Sequence, residues 1–265
     1  MSSAKIQDIV IIGAGRLATH LGQALFRLGL NITQVYNRTP EKGMKLAAKI
    51  GASFTADISN ITLNADLYIL AVSDSVIEYL AKRLRLHNRL VVHASGTVSM
   101  DILAEVSGNI GVFYPVQTFS LNRKPDFRKI PVCVEGNSAA TAERLSEFAG
   151  LLTKRVYRLD SDQRRLLHLG AVFASNFTNS LYAVTEELLA SQHIPLELLE
   201  PLIMQTAGNL KHGNLIHFQT GPAARGDAKV LEKHYEMLAN HPDFLAIYKI
   251  MSENIIKQTS GHGKL

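Results

Sequence analysis

A single cysteine, Cys133, stands in the 265-residue chain, so no disulfide can form within it and a reducing compartment is expected. No stretch approaches the roughly 18 uninterrupted apolar residues that a membrane span needs. Residues 1–5 lead directly into a strand-like run and leave no space for a signal peptide, so the expected location is cytoplasmic. The ten histidines show no metal-ligand spacing, and no metal is expected. The net charge of +5 is scattered over short groups such as Lys82-Arg83, Arg123-Lys124 and Arg164-Arg165. These read as solvated faces, and without a recognition motif they argue against a nucleic-acid partner. No internal repeat or low-complexity tract is present. Hydrophobic content of 46% and charged content of 19% fit a globular protein with room for one large or two ordinary domains.

What is present begins at Asp8. Four β-branched residues, Ile9 to Ile12, run into Gly13-Ala14-Gly15-Arg16-Leu17-Ala18, and Leu17, Leu21 and Leu25 then recur at helical spacing. A buried parallel strand, a tight turn and a helix N-terminus in this order hold a dinucleotide pyrophosphate. Gly13 permits the turn, Gly15 leaves room for phosphate beside the backbone, and Ala18 lets helix and strand pack closely. Gly13, Gly15, Arg16 and Leu17 are therefore candidate cofactor contacts.

About one βα unit later, a second strand ends in Asn37-Arg38-Thr39-Pro40. A site preferring NAD would carry a carboxylate there for the ribose 2′-hydroxyl. A guanidinium flanked by amide and hydroxyl donors suits a 2′-phosphate instead, which predicts NADP. The same four residues are also good turn composition.

Strand patterns at 8–12, 32–36, 53–55, 67–71, 90–93 and 110–114 alternate with helical patterns at 16–28, 42–50, 76–86 and 98–106. Such alternation predicts an α/β fold, a doubly wound, mainly parallel Rossmann sheet with helices on both faces. Short strands at 131–135 and 155–158, flanking a helix over 139–152, extend the sheet. Beyond about residue 160 strand patterns cease. Helical stretches at 164–191, 196–213, 228–240 and 243–257 follow, punctuated by Pro195, Gly213, Gly221-Pro222 and Pro242. The expected division is a dinucleotide-binding domain over 1–160 and an all-α domain for substrate and dimerisation over 161–265. The tail after Ser260 reads as frayed.

Ligands of such sheets sit beyond the carboxyl ends of the strands. Val72 and Ser73, ending the fourth strand, are expected beneath the cofactor; Ser73 or Asp74 also reads as the N-cap of the following helix, with Asp74 expected to be only that cap. His93 and Ser95, ending the fifth, are candidates for the nicotinamide or the substrate; His93 reads equally as a structural histidine. Gln117, with Thr118 and Ser120, follows the sixth strand and is a candidate substrate contact, while Pro115 reads as a strand stop. At 100° per residue, His168, Val172, Ser175 and Asn179 share one stripe with Asn176 at its margin, opposite Leu166, Phe173, Phe177 and Leu181. This predicts a helix buried almost all round with a polar stripe. The stripe suits either a wet cleft, with His168 as proton donor or carbonyl polariser, or helix-to-helix hydrogen bonds. Thr220, Arg225 and Asp227 lie on a Gly/Pro-shaped loop. Arg225 could clamp a carboxylate, or sit in an ion pair beside an Asp227 N-cap.

These segments together (13–18, 93–96, 115–120, 168–176 and 220–227) resemble a bacterial family of Rossmann-like proteins related to NADP- or F420-dependent oxidoreductases, with a helical C-terminal domain of unknown function. More distantly, the layout is similar to pyrroline-5-carboxylate reductases and β-hydroxyacid dehydrogenases. That resemblance implies NADP, with F420 as a further hydride carrier, a homodimer interlocked through the helical domain, and a site between domains. His168, Asn176 and Arg225 are then the expected catalytic residues, and His93, Gln117, Ser175, Asn179, Thr220 and Asp227 the expected substrate contacts. Two departures stand out. The dehydrogenases carry Lys-x-x-x-Asn, whereas here Val172 precedes Asn176; the reductases carry Ser-Pro-Gly-Gly-Thr-Thr near the place of Thr220-Gly-Pro-Ala-Ala-Arg225. The expected function is an NADP-dependent oxidoreductase acting on a small polar substrate. The absent lysine motivates an alternative, an NADP-binding sensor or interaction protein without turnover.

Overall fold

β1 (Asp8–Ile12) is an interior strand of the molecule's sheet, with apolar layers on both of its faces. Ile9 and Ile11 enter one core with helices α1 (Arg16–Arg27), α2 (Pro40–Lys49) and α4 (Ala139–Gly150). Val10 and Ile12 enter the other, with α3 (Asp74–Ala81) and a 3₁₀ turn at Met100–Leu103. A strand with period-two alternation between two apolar layers must be buried, as parallel sheets are. The computed structural model describes residues 5–260; the expected lead-in at 1–4 and the tail at 261–265 lie outside the described residues.

The eight strands run β3-β2-β1-β4-β5-β6-β7-β8 across one sheet. They are β1, β2 (Asn31–Tyr36), β3 (Ser53–Thr55), β4 (Leu67–Leu70), β5 (His87–His93), β6 (Ser107–Pro115), β7 (Val132–Gly136) and β8 (Val156–Arg158). All neighbours are parallel except β6 and β7. The order reverses between β1 and β4, and the crevice at such a switch point is where ligands of open α/β sheets bind. The Rossmann sheet read from the sequence is present, with β7 and β8 extending it.

The chain divides after Ser175 into two compact units. The first contains the sheet and α5 (Ser161–Ala171). The second contains α6 (Thr178–Ala190), α7 (Glu200–Gly208), α8 (Pro222–Arg225), α9 (Ala228–Met237) and α10 (Pro242–Ser260). Among the described residues, no helix is long and apolar enough to cross a membrane.

Several expected helices differ. The helix expected over 98–106 is only the 3₁₀ turn Met100–Leu103. The Ser95 hydroxyl accepts the amides of Thr97 and Val98 and holds the preceding segment in a turn, while Val106 is drawn into pairing with Leu86. The helix expected over 76–86 stops at Ala81, and Leu84 and Leu86 reach the core from irregular backbone. The single helix expected over 164–191 is α5, a π-helical turn at Val172–Phe177, and α6. The helix expected over 196–213 begins as a 3₁₀ turn, and Pro201 opens α7 where its missing N–H costs nothing. The helix around His168 is not buried all round either. Leu166 is 70% exposed and Phe173 62% within a single chain. The wider π turn also breaks the 100° phase on which the stripe through Ser175 and Asn179 was drawn.

Candidate active site

A cavity of about 620 Å³ opens at the carboxyl ends of β1, β2 and β4. Three chain segments build it: Gly13 to Leu17, Tyr36 to Thr39, and Ala71 to Val76 without Asp74. Gly13 has φ +119°, and a Cβ there would lie 2.5 Å from the Ala71 carbonyl oxygen and 2.8 Å from a Val72 methyl. Only glycine fits that turn. Gly15 differs, since a Cβ there would meet nothing within 4 Å. Its bare backbone faces open space at the N-cap of α1, where no side chain caps the first amides. Free helix-terminal N–H groups beside an open cavity are what a pyrophosphate needs, so the donor set fits a dinucleotide.

At the far end, the Asn37 amide donates to the Thr39 carbonyl at 2.7 Å and fixes the turn that carries Arg38. Arg38 is exposed and has no ion-pair partner among the described residues. Tyr79 adds a wall that sequence reasoning missed. The Arg83 guanidinium lies 3.8 Å over its ring centroid, a cation–π pair that stiffens this side. The i, i+4 spacing of Tyr79 and Arg83 was visible in the sequence; that the pair borders a cavity was not. Nine of the ten expected cofactor residues (Gly13, Gly15, Arg16, Leu17, Asn37, Arg38, Thr39, Val72 and Ser73) line this one space, and Ser95 does not. Asp74 is not the cap of α3. The N-cap is Ser73, with no side-chain cap bond, and the Asp74 carboxylate instead accepts the Thr97 hydroxyl.

A second group lies past the ends of β5 and β6. His93 is fully buried, and its Nδ1 accepts the Ser95 amide at 3.2 Å. Burial, then the nearby Arg164 charge, depress its pKa to about 4, so it is neutral near pH 7. Its Nε2 is buried with no hydrogen-bond partner among the described residues. His168, on α5, is only part-buried, and its Nδ1 lies 3.2 Å from the Tyr114 hydroxyl. Gly96 packs against both rings. Burial raises the Tyr114 hydroxyl above its ordinary pKa. Four residues before His168, Arg164 is 1% exposed; its guanidinium donates to Glu135 and to the Val98 carbonyl. Ser161 also donates to Glu135 at 3.0 Å and accepts the Met100 amide at 3.3 Å. Sequence reasoning missed this network. Its one signal was an arginine one turn from His168 on the same helix face.

The remaining candidates are spread further. Gln117 is exposed and accepts the neighbouring Thr118 amide at 2.9 Å, a local turn contact. Ser175 is exposed within the π turn. Asn176, Asn179, Thr220, Arg225 and Asp227 belong to the helical unit. There Thr220 borders a cavity of about 320 Å³ with Leu181, Ala223 and Tyr248. The Asp227 carboxylate accepts the Val230 amide at 3.2 Å and caps α9. Arg225 is exposed, with no ion pair among the described residues, at the end of α8 between Gly221 (φ +102°) and Gly226 (φ +68°). Among the described residues no three His, Cys, Asp or Glu side chains are grouped to hold a metal ion.

A Rossmann sheet with a glycine turn, uncapped helix amides and an arginine at the end of β2 defines the class of dinucleotide-binding proteins. Residues 8–96 match the family described as NADP oxidoreductase, coenzyme F420-dependent, and residues 130–255 match a domain of unknown function, DUF2520. The chain is 41% identical to a candidate NADP oxidoreductase from Bacteroides fragilis, over 96% of this chain and 100% of that one, with a TM-score of 0.88. It belongs to this family of NADP oxidoreductases, in which a Rossmann domain precedes DUF2520. Two more distant structures share the fold. A reductive aminase from Aspergillus terreus, in complex with NADPH and ethyl-5-oxohexanoate, is 15% identical over 96% of this chain and 95% of its own (TM-score 0.75). A 1-pyrroline-5-carboxylate reductase from Streptococcus pyogenes is 16% identical over 96% and 98% (TM-score 0.63). No curated protein matches the chain.

Proposed function

We propose that this protein is an NADP(H)-dependent reductase or dehydrogenase acting on the carbonyl or imine carbon of a small polar substrate. The cavity that joins Gly13 and Gly15 to Asn37, Arg38 and Thr39 carries the reading. In it, the α1 amides hold pyrophosphate and Arg38 holds a 2′-phosphate. Bound NADPH supplies the hydride, and the reduced carbon's oxygen or nitrogen must then be met by a hydrogen-bond or proton donor. His168 takes that role, being part-buried, on a braced helix, and able to donate. Asn176 and Arg225 orient the substrate, with Ser175, Asn179, Thr220 and Gln117 as further contacts. The Asp227 carboxylate supports the Arg225 loop as the cap of α9.

The reading divides labour between a cofactor domain over 1–160 and a substrate and dimerisation domain over 161–265. The homodimer is supported by apolar side chains that a single chain leaves open on the helical unit, such as Leu202, Met204, Met237 and Ile250, each more than half exposed. The lone, buried Cys133 suits a reducing cytoplasm.

The test is NADPH oxidation against a panel of small aldehydes, ketones and cyclic imines, with and without ammonia or amines. Turnover is expected with NADPH, and His168→Gln is expected to lower it about 100-fold or more. Unchanged turnover in His168→Gln would remove His168 from the chemistry. Binding of NADP(H) with no turnover on any member would instead favour a sensor. A parallel titration with F420 tests whether the deazaflavin is a second hydride carrier, as the family description suggests.

A further inference from the structure

We propose that Tyr114 is a positioning residue for His168, its hydroxyl engaging Nδ1 so that Nε2–H is the group turned to a ligand. The inference rests on the reading above in its catalytic consequence, though not in the pairing itself.

The His168 ring is held from more than one direction by atoms of the sheet unit. The Tyr114 hydroxyl stands 3.2 Å from Nδ1, and the two rings meet edge to face at 6.2 Å between centroids. On another side the ring lies against the Gly96 backbone. A Cβ at Gly96 would fall 2.6 Å from Nδ1 and 2.9 Å from Cγ of His168, and 3.0 Å from Cζ of Tyr114. Gly96 has an ordinary backbone conformation, so the absence of a side chain there is a matter of room for these rings. The parts that carry them are rigid. Tyr114 lies in β6, paired with Cys133 of β7, and α5 is tied down by the buried Arg164–Glu135 ion pair one turn before His168.

The roles follow from donor chemistry. A tyrosine hydroxyl that burial keeps protonated is a ready donor. When it donates to Nδ1, the neutral imidazole must carry its proton on Nε2, and that tautomer presents a hydrogen-bond donor away from Tyr114. An oxygen or nitrogen accepting from Nε2–H would be polarised for hydride addition at its carbon. No local pattern hints at the pair, because 54 residues separate Tyr114 from His168.

The experiment uses the full chain labelled with ¹⁵N-histidine, with His168 resonances assigned by their loss in His168→Gln. At neutral to mildly alkaline pH, wild-type His168 is expected to show an unprotonated Nδ1 and a protonated Nε2. Tyr114→Phe keeps the ring and removes one oxygen; it should shift the Nδ1 resonance and mix the tautomers. Gly96→Ala, with Tyr114 intact, should produce a similar change by displacing the ring, and it decides the matter should Tyr114→Phe fail to fold. With a substrate from the panel, Tyr114→Phe should lower kcat about fivefold while KM for NADPH stays unchanged. A wild-type His168 carrying its proton on Nδ1, or a spectrum that neither substitution alters, would overturn the pairing. His168→Gln without effect on turnover, beside an intact spectral signature, would instead overturn the catalytic reading and leave the pairing standing.

Discussion

Replacing Arg164 with methionine should destabilise the sheet unit by about 3–5 kcal/mol, the usual cost of removing one partner from a buried ion pair. The magnitude follows from what is left behind. Arg164 is 1% exposed and Glu135 13%, so neither charge has much water to fall back on. Methionine leaves the Glu135 carboxylate with Ser161 as its remaining side-chain donor and leaves the Val98 carbonyl without the guanidinium. For a unit of this size the loss corresponds to a fall in Tm of roughly 10 °C. Guanidinium unfolding followed by circular dichroism measures it, and the double variant Arg164→Met/Glu135→Leu supplies the decisive comparison. Removing both charges together should recover about 2 kcal/mol or more relative to the single substitution, because no orphaned ion remains. A second readout is independent of stability. The Arg164 charge helps to hold His93 below its ordinary pKa, so Arg164→Met should raise the His93 titration midpoint. A single substitution costing less than about 1 kcal/mol, or a double variant whose loss is the sum of the two singles, would refute this account of the pair.

Three further outcomes can be checked separately. Arg38→Ala should weaken NADP binding by about 10- to 100-fold in calorimetry while leaving NAD nearly unchanged, since only the 2′-phosphate loses its charged partner; equal losses for both would void the assignment. Gly15→Val should lower the Tm by only a few degrees, because its Cβ position is open and the cost is that of a poorer N-cap, yet abolish dinucleotide binding by filling the path of the pyrophosphate; a variant that still binds NADP would place the phosphates elsewhere. His93 gives the pH dependence: its folded pKa of about 4 lies below the unfolded value of about 6.5, so between them the unfolded chain binds more protons. Its contribution is whole above pH 6.5 and is lost as pH falls towards 4, on the order of 3 kcal/mol in all. His93→Phe should flatten that part of the stability profile, and a slope that persists in the variant would point to another group.

The cavity assigned to the dinucleotide was legible because its determinants are local. Gly13 answers a backbone demand at its own position, φ +119° against the Ala71 carbonyl, and Arg38 follows its strand directly. A strand, a turn and a helix that succeed one another in sequence also succeed one another in space, so spacing alone recovers residues that line one cavity. The helices were less legible where side chains redirect the backbone. Ser95 turns the chain at Thr97 and Val98 with its hydroxyl, and a run whose composition suits a helix becomes a 3₁₀ turn. The π turn at Val172–Phe177 has no such signature, and it invalidates a stripe drawn at 100° per residue.

Around His168 the difficulty is of another kind. Glu135, Val98 and Tyr114 reach Arg164 and His168 across 29, 66 and 54 residues, and no periodicity links residues that meet only through the sheet's strand order. Leu166, Phe173, Phe177 and Leu181, drawn by periodicity opposite the polar stripe, are each at least 36% exposed in a single chain, and periodicity does not say what covers them. Cofactor recognition is thus written in neighbouring residues, which lets a motif travel between proteins with little change. The groups proposed to meet the substrate depend on long-range packing and on whatever covers the helices. On the proposed reading, a change of specificity requires no change in the glycine turn, and the substrate is to be sought at His168 and in the helical unit rather than at Gly13.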